Sequence, residues 1–126
     1  MKVYSFAVML LAAILNSTPS AAQTVTAKAP EVIVIVRYTA QPGKESQALS
    51  AITELVAKVK SVEPENGGIS ILRDVADKSK ITLIEKWPSQ QLFLGPHMAQ
   101  PHIQQFIQRS REFLVGPPDI TFWNSP

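Results

Sequence analysis

Two histidines, His97 and His102, stand five residues apart in a 126-residue chain that has no other histidine and no cysteine. Upstream lie a carboxylate and an indole, Glu85 and Trp87, two positions apart. An imidazole beside a carboxylate is a general base at neutral pH, because the carboxylate raises imidazole basicity. The same pairing can be purely structural, a buried hydrogen bond that pins a broken helix to a strand. A metal is a third arrangement for two imidazoles and a carboxylate. The spacing argues against it, since five residues across Pro101 do not share one helical face as the i, i+4 pair of a zinc helix does. Without cysteine there is no thiolate nucleophile, thiolate metal site or disulfide. The chain has no glycine-rich phosphate loop, no Gly-x-Ser-x-Gly elbow and no flavin or nicotinamide fingerprint. Chemistry here would proceed without a cofactor held by a known motif.

These residues need elements to position them. Ile81, Leu83, Glu85 and Trp87 alternate with Thr82, Ile84 and Lys86, which predicts a strand with the carboxylate and indole on one face. Pro88 ends it for want of an N–H, and Ser89 is placed to cap a short helical turn. Gly95-Pro96 is expected to break that turn, and Pro101 to start a second helix. One strand thus aims Glu85 and Trp87 into a space covered by two helical pieces, each carrying an imidazole.

Upstream, Val32–Tyr38 is a continuous β-branched run closing on Arg37 and Tyr38, which fall on opposite faces. Such a run suits a strand buried on both sides. One helical layer covers only one of them, so the run implies a second copy of the chain. Either Arg37 or Tyr38 could line a cavity mouth; Arg37 would suit an anionic oxygen, although arginines at strand ends usually sit in solvent. Gln41-Pro42-Gly43-Lys44 reads as a turn. From Glu45 to Val62, Leu49, Ile52, Leu55, Val56, Val59 and Val62 recur at helical spacing. Pro64 and Gly67-Gly68 stop that helix. A strand at Ile69–Arg73 is returned by Ala76–Ser79 as a hairpin into Ile81–Trp87. Ile103, Phe106, Ile107, Phe113 and Leu114 form another helical stripe, and Ile120–Trp123 a last strand. Strand, helix, strand, strand, helix, strand is the split βαβ order of an α+β, ferredoxin-like sandwich with helices on one face of a four-stranded antiparallel sheet.

Residues 1–22 stand apart from this domain. Lys2, an apolar run from Phe6 to Leu15, and small residues at Ser20 and Ala22 have the layout of a secretory signal, expected to be cleaved before Gln23, with an uncleaved anchor as the alternative. The apolar run is shorter than the roughly 20 residues of a membrane-spanning helix. Export to the periplasm or beyond is therefore expected, with no membrane attachment after cleavage. Residues 23–30 read as a flexible leader and 31–126 as the folded domain. Lys and Arg number 12 against 10 Asp and Glu. That near balance, without a basic cluster, excludes the electrostatic footprint of a nucleic-acid binder.

Through these residues the chain resembles the antibiotic biosynthesis monooxygenase family of dimeric α/β barrels. The resemblance runs from Val32 to Trp123. It rests on the opening strand with Pro42-Gly43-Lys44, the Glu85-Lys86-Trp87 strand end, His97, Pro101-His102 with Phe106 behind, and the Pro117-Pro118 exit. It implies ferredoxin-like protomers whose sheets face each other in a homodimer. It also implies a small oxygenase acting on quinols or polycyclic phenols with O2 and with neither metal nor flavin. A phenol deprotonated in an apolar pocket is electron-rich enough to reduce oxygen, so the protein supplies a base, an anion stabiliser and water exclusion. His97, His102 and Glu85 are the candidate bases, and Trp87 and Phe93 the candidate aromatic walls, Trp87 being equally suited to plain core filling. Leu83 and Phe93 stand where similar oxygenases carry an amide and a tyrosine, and neither can donate a hydrogen bond. The first strand lacks the asparagine of haem-degrading relatives, and Phe106 lies near the place of their histidine. A catalytically silent dimeric barrel that binds a small apolar or aromatic ligand is the other class of function the sequence allows.

Overall fold

The computed structural model describes residues 31–126, which hold the whole expected domain; the signal segment, its cleavage site and the leader lie outside the described residues. Strand β1 (Val32–Thr39) runs between β3 (Lys80–Trp87) and β4 (Asp119–Trp123), and β2 (Ile69–Arg73) lies outside β3. Every pairing is antiparallel. The order β2-β3-β1-β4, with helix α1 (Glu45–Val62) crossing between β1 and β2, is the ferredoxin-like α+β arrangement expected from the sequence. Among the described residues no helix is long and apolar enough to cross a membrane.

The register decides which side chains meet. Val34 pairs with Glu85 and Val36 with Leu83, while Ile69 flanks Glu85 from β2. Val32, Val34, Val36 and Tyr38 therefore share a face with Ile81, Leu83, Glu85 and Trp87, and all are buried beneath the helices. Burying each large apolar side chain contributes about 1.5–3 kcal/mol. The core cluster draws only on this face of the sheet. On the other face Ile33, Ile35 and Ile84 are half-buried, while Leu72 and Trp123 are exposed. Within one protomer, the β1 run is thus fully buried on one side only.

Two helical readings need correction. The buried residues of α1 are Ala48, Ala51, Ile52, Val56 and Val59, whereas Val62 is exposed. The stripe continues from Val59 to Glu63, one turn on, and not to Val62. Helix α3 (Pro101–Ser110) starts at its proline as expected, but ends before Phe113 and Leu114. Those two are buried from the following turn, where Phe113 O accepts from Gln41 N–H and Leu114 bridges to Ala40.

Gly67-Gly68 lies against the end of β3: Gly67 N–H donates to Lys86 O and Lys86 N–H to Gly68 O. A Cβ on Gly67 would stand 3.0 Å from the Lys86 Cβ, and Gly68 has φ +126°, a conformation that glycine adopts freely. This pair lets the chain leave α1 and enter β2 beside the residues that follow Glu85.

Candidate active site

Between sheet and helices lies a cavity of about 490 Å³. Its sheet wall is Val36, Tyr38, Leu83 and Glu85, and its α1 wall Leu55, Val56 and Val59. Phe93 and His97, Ile103 and Phe106 of α3, and Arg111 with Leu114–Pro118 complete the lining. The lining is largely apolar with a few convergent polar groups, the usual make-up of a small-molecule site.

His97 reaches this cavity by an unusual piece of backbone. Ser89 Oγ accepts from Leu92 N–H at 3.1 Å and caps the short helix α2 (Gln90–Leu92). Gly95-Pro96 does not break the chain there, as the sequence suggested. Residues Phe93–His97 continue as a π turn with Pro96 inside it. The widened turn is closed by Met98 N–H to Phe93 O and Ala99 N–H to Gly95 O, so no hydrogen is needed from the proline nitrogen. Phe93 and His97 both point inward, while Leu94, Gly95 and Pro96 are exposed. Single π turns in helical segments recur at functional sites.

Inside, His97 is packed between aromatic rings, 4.4 Å from Trp87 and 4.8 Å from Phe93 by centroid. Its Nδ1 lies 2.9 Å from Oε1 and 3.1 Å from Oε2 of Glu63. His102 Nε2 lies 2.7 Å from the same Oε2. One buried carboxylate at the end of α1 thus gathers both imidazoles. Burial lowers the His97 pKa, an effect that Glu63 opposes and His102 reinforces.

The carboxylate that the sequence offered to the histidines was Glu85, and that pairing is not made. Glu85 accepts instead from Trp87 Nε1–H at 3.2 Å. Burial pushes its pKa up to about 7, against the lowering effect of the Trp87 hydrogen bond and with a further push from Glu63. Burial also raises the Tyr38 phenol well above its ordinary value, and the charge of Glu85 adds to this. Among the described residues no group of three or more His, Asp or Glu is arranged to hold a metal ion.

Of the residues singled out from sequence, Glu85, His97, Leu83, Phe93 and Tyr38 come together on the cavity wall. Three do not. His102 stands behind Glu63, and Trp87 is core, filling the space behind His97 and Glu85. Arg37 points to the open face, where its guanidinium meets Asp119 at 3.4 Å. Glu63 was missed, although a signal existed. Ile52, Val56, Val59 and Glu63 follow one helical stripe, and a carboxylate at a helix C-terminus opposes the helix dipole.

PA3566 from Pseudomonas aeruginosa is 20% identical and superposes with a TM-score of 0.71 over 79% of this chain and 97% of its own. Rv0793 from Mycobacterium tuberculosis is 19% identical, with a TM-score of 0.66 over 76% and 95%. A further structure, named an antibiotic biosynthesis monooxygenase, is 21% identical, with a TM-score of 0.67 over 75% and 98%. Likeness at these identities establishes the fold. No curated protein matches the chain. Residues 31–109, however, match the family description "Antibiotic biosynthesis monooxygenase", a span that takes in β1, Glu63, Glu85, Trp87 and both histidines. By that match the chain belongs to the antibiotic biosynthesis monooxygenase family.

Proposed function

We propose that this protein is a monooxygenase for a quinol or an enolisable polycyclic phenol, using O2 directly. The observation that carries the reading is the cavity itself: two proton-accepting side chains, His97 and Glu85, line a largely apolar space with Phe93 and Phe106, its other polar groups being Tyr38, Gln41, Ser110 and Arg111. A cavity of about 490 Å³ suits a ligand of two or three fused rings.

His97 removes the phenolic or enolic proton. Burial disfavours the charged ring, so the base is neutral and available at physiological pH. The resulting anion, stripped of water, transfers one electron to O2. Recombination of superoxide with the substrate radical at carbon forms a C–O bond and a peroxide anion. Protonation gives the hydroperoxide. His97, neutral again once it has protonated the peroxide, takes the remaining hydrogen on that carbon as a proton; cleavage of O–O then leaves a carbonyl and a hydroxide, so one oxygen atom stays with the product. Glu85, with its pKa near 7, holds a proton over part of the neutral range and can deliver it to the departing oxygen.

The test is oxygen uptake with a panel of hydroquinones and anthrone-like methylenes, wild type against His97→Ala. Uptake that is lost in the folded variant supports the reading. Binding of aromatics without uptake would favour a silent binding barrel, consistent with the donor-less Leu83 and Phe93 on the wall.

A further inference from the structure

Glu63 sits where the α1 stripe would otherwise carry an apolar side chain. It is 5% exposed and gives both oxygens to histidines. The chemistry proposed above needs only His97 from this group, so the buried carboxylate and the second imidazole call for a reason of their own. Burying a charge is costly unless it is paired.

We propose that Glu63 and His102 are positioning residues for His97: Glu63 commits the ring to the Nδ1–H tautomer, leaving Nε2 as its basic atom, and His102 holds the carboxylate by its second oxygen. The proposal rests on the reading of His97 as the base. A neutral imidazole has one donor nitrogen and one acceptor, while an ionised carboxylate only accepts. With Nδ1 2.9 Å from Oε1 and 3.1 Å from Oε2, the ring hydrogen belongs on Nδ1. His102 Nε2, 2.7 Å from Oε2, is likewise a donor. Trp87 and Phe93 pack against the ring and fix its plane. A carboxylate on the far nitrogen also stabilises the imidazolium as it forms.

The titratable groups around His97 come from four elements: Glu63 at the end of α1, His102 on α3, and Glu85 on β3 and Tyr38 on β1, which line the same cavity. Only Glu63 bonds the ring. His102 touches the carboxylate and not the cavity, so its influence passes through Glu63.

Imidazole ¹⁵N spectra of the full-length protein at pH 7.5 test this without reference to turnover. The expected wild-type result is His97 protonated on Nδ1 and bare on Nε2. Glu63→Gln, whose amide can donate to Nδ1, is expected to shift the ring toward Nε2–H and to lower hydroquinone turnover about 10²–10⁴-fold. His102→Gln keeps an N–H for Oε2 and should preserve the tautomer and most of the rate. His102→Leu should lose roughly 10–100-fold. A wild-type ring protonated on Nε2, or an unchanged His97 spectrum and rate in folded Glu63→Gln, overturns the proposal. So does stoichiometric zinc uptake by the three side chains. Should Glu63→Gln fail to fold, equal rates and unchanged His97 spectra in the two His102 variants overturn it. If the tautomer is as expected and no substrate consumes oxygen, the positioning stands and the oxygenase reading falls.

Discussion

His97 Nδ1 and Glu63 Oε1 are 2.9 Å apart, although the two residues are separated by 34 positions and lie on different elements. The contact joins the last turn of the long helix to the π turn that follows β3. It makes the end of α1 part of the candidate site, and it leaves Glu85 free to act on the cavity from the sheet.

Glu85 should make the native state sensitive to alkali. Its pKa is raised from 4.5 to about 7, so folding favours the protonated acid. The contribution is complete below about pH 4.5 and is lost as pH rises through about 7, on the order of 3 kcal/mol in all. Glu85→Gln removes this loss while keeping an oxygen for Trp87 Nε1–H. In thermal melts the variant should gain on wild type between pH 5 and 8. A constant difference across that range contradicts the assignment. His97 acts in the opposite sense: its lowered pKa favours the neutral ring, so its contribution is present above the ordinary histidine value and falls in acid.

The Ser89 cap should matter beyond its own hydrogen bond. Ser89→Ala leaves Leu92 N–H without its acceptor and should cost about 1 kcal/mol. Because the capped turn carries Phe93 and His97, aromatic ligand affinity should fall as well. Titration of a hydroquinone analogue by Trp fluorescence measures it, and unchanged affinity with lowered stability would confine the cap to folding.

Most of the fold is legible in the sequence because its signals are local. Period-two alternation marks β3 and β2, helical spacing marks α1, and Pro88, Ser89 and Pro101 mark boundaries found within a residue or so. Placing Glu85 and Trp87 on one strand face also needs only alternation. The histidines' partner is a different matter. Which carboxylate meets them depends on how the end of α1 packs against the turn after β3, a tertiary fact. The stripe Ile52, Val56, Val59, Glu63 announces an inward carboxylate, but not what it meets. Phe113 and Leu114 mislead in another way: their helical spacing persists past the helix, because a buried turn also places apolar side chains inward.

We expect the open face of the sheet to be covered by a second copy of the chain. Ile33, Ile35 and Ile84 lie there with exposed Trp123, outside the core cluster. Sedimentation at micromolar concentration should give twice the protomer mass, and Ile35→Asp should give a folded monomer or aggregate. Wild type sedimenting as a stable monomer contradicts this.

Export is expected from the Lys2, Phe6–Leu15 and Ser20-Ala21-Ala22 pattern. Mass spectrometry of protein recovered outside the cytoplasm should find a chain beginning at Gln23. A mature species that still begins at Met1 contradicts cleavage.

We propose that His97, held at the wall of a largely apolar cavity, lets the protein oxidise a phenolic substrate with O2. An oxygen electrode with a hydroquinone panel tests it most directly, on chelator-treated wild type and His97→Ala of matched folding. The expected result is uptake by the wild type and a loss of roughly 10²–10⁴-fold in the variant. Equal uptake by both proteins, or wild-type uptake that appears only on adding metal or flavin, contradicts it.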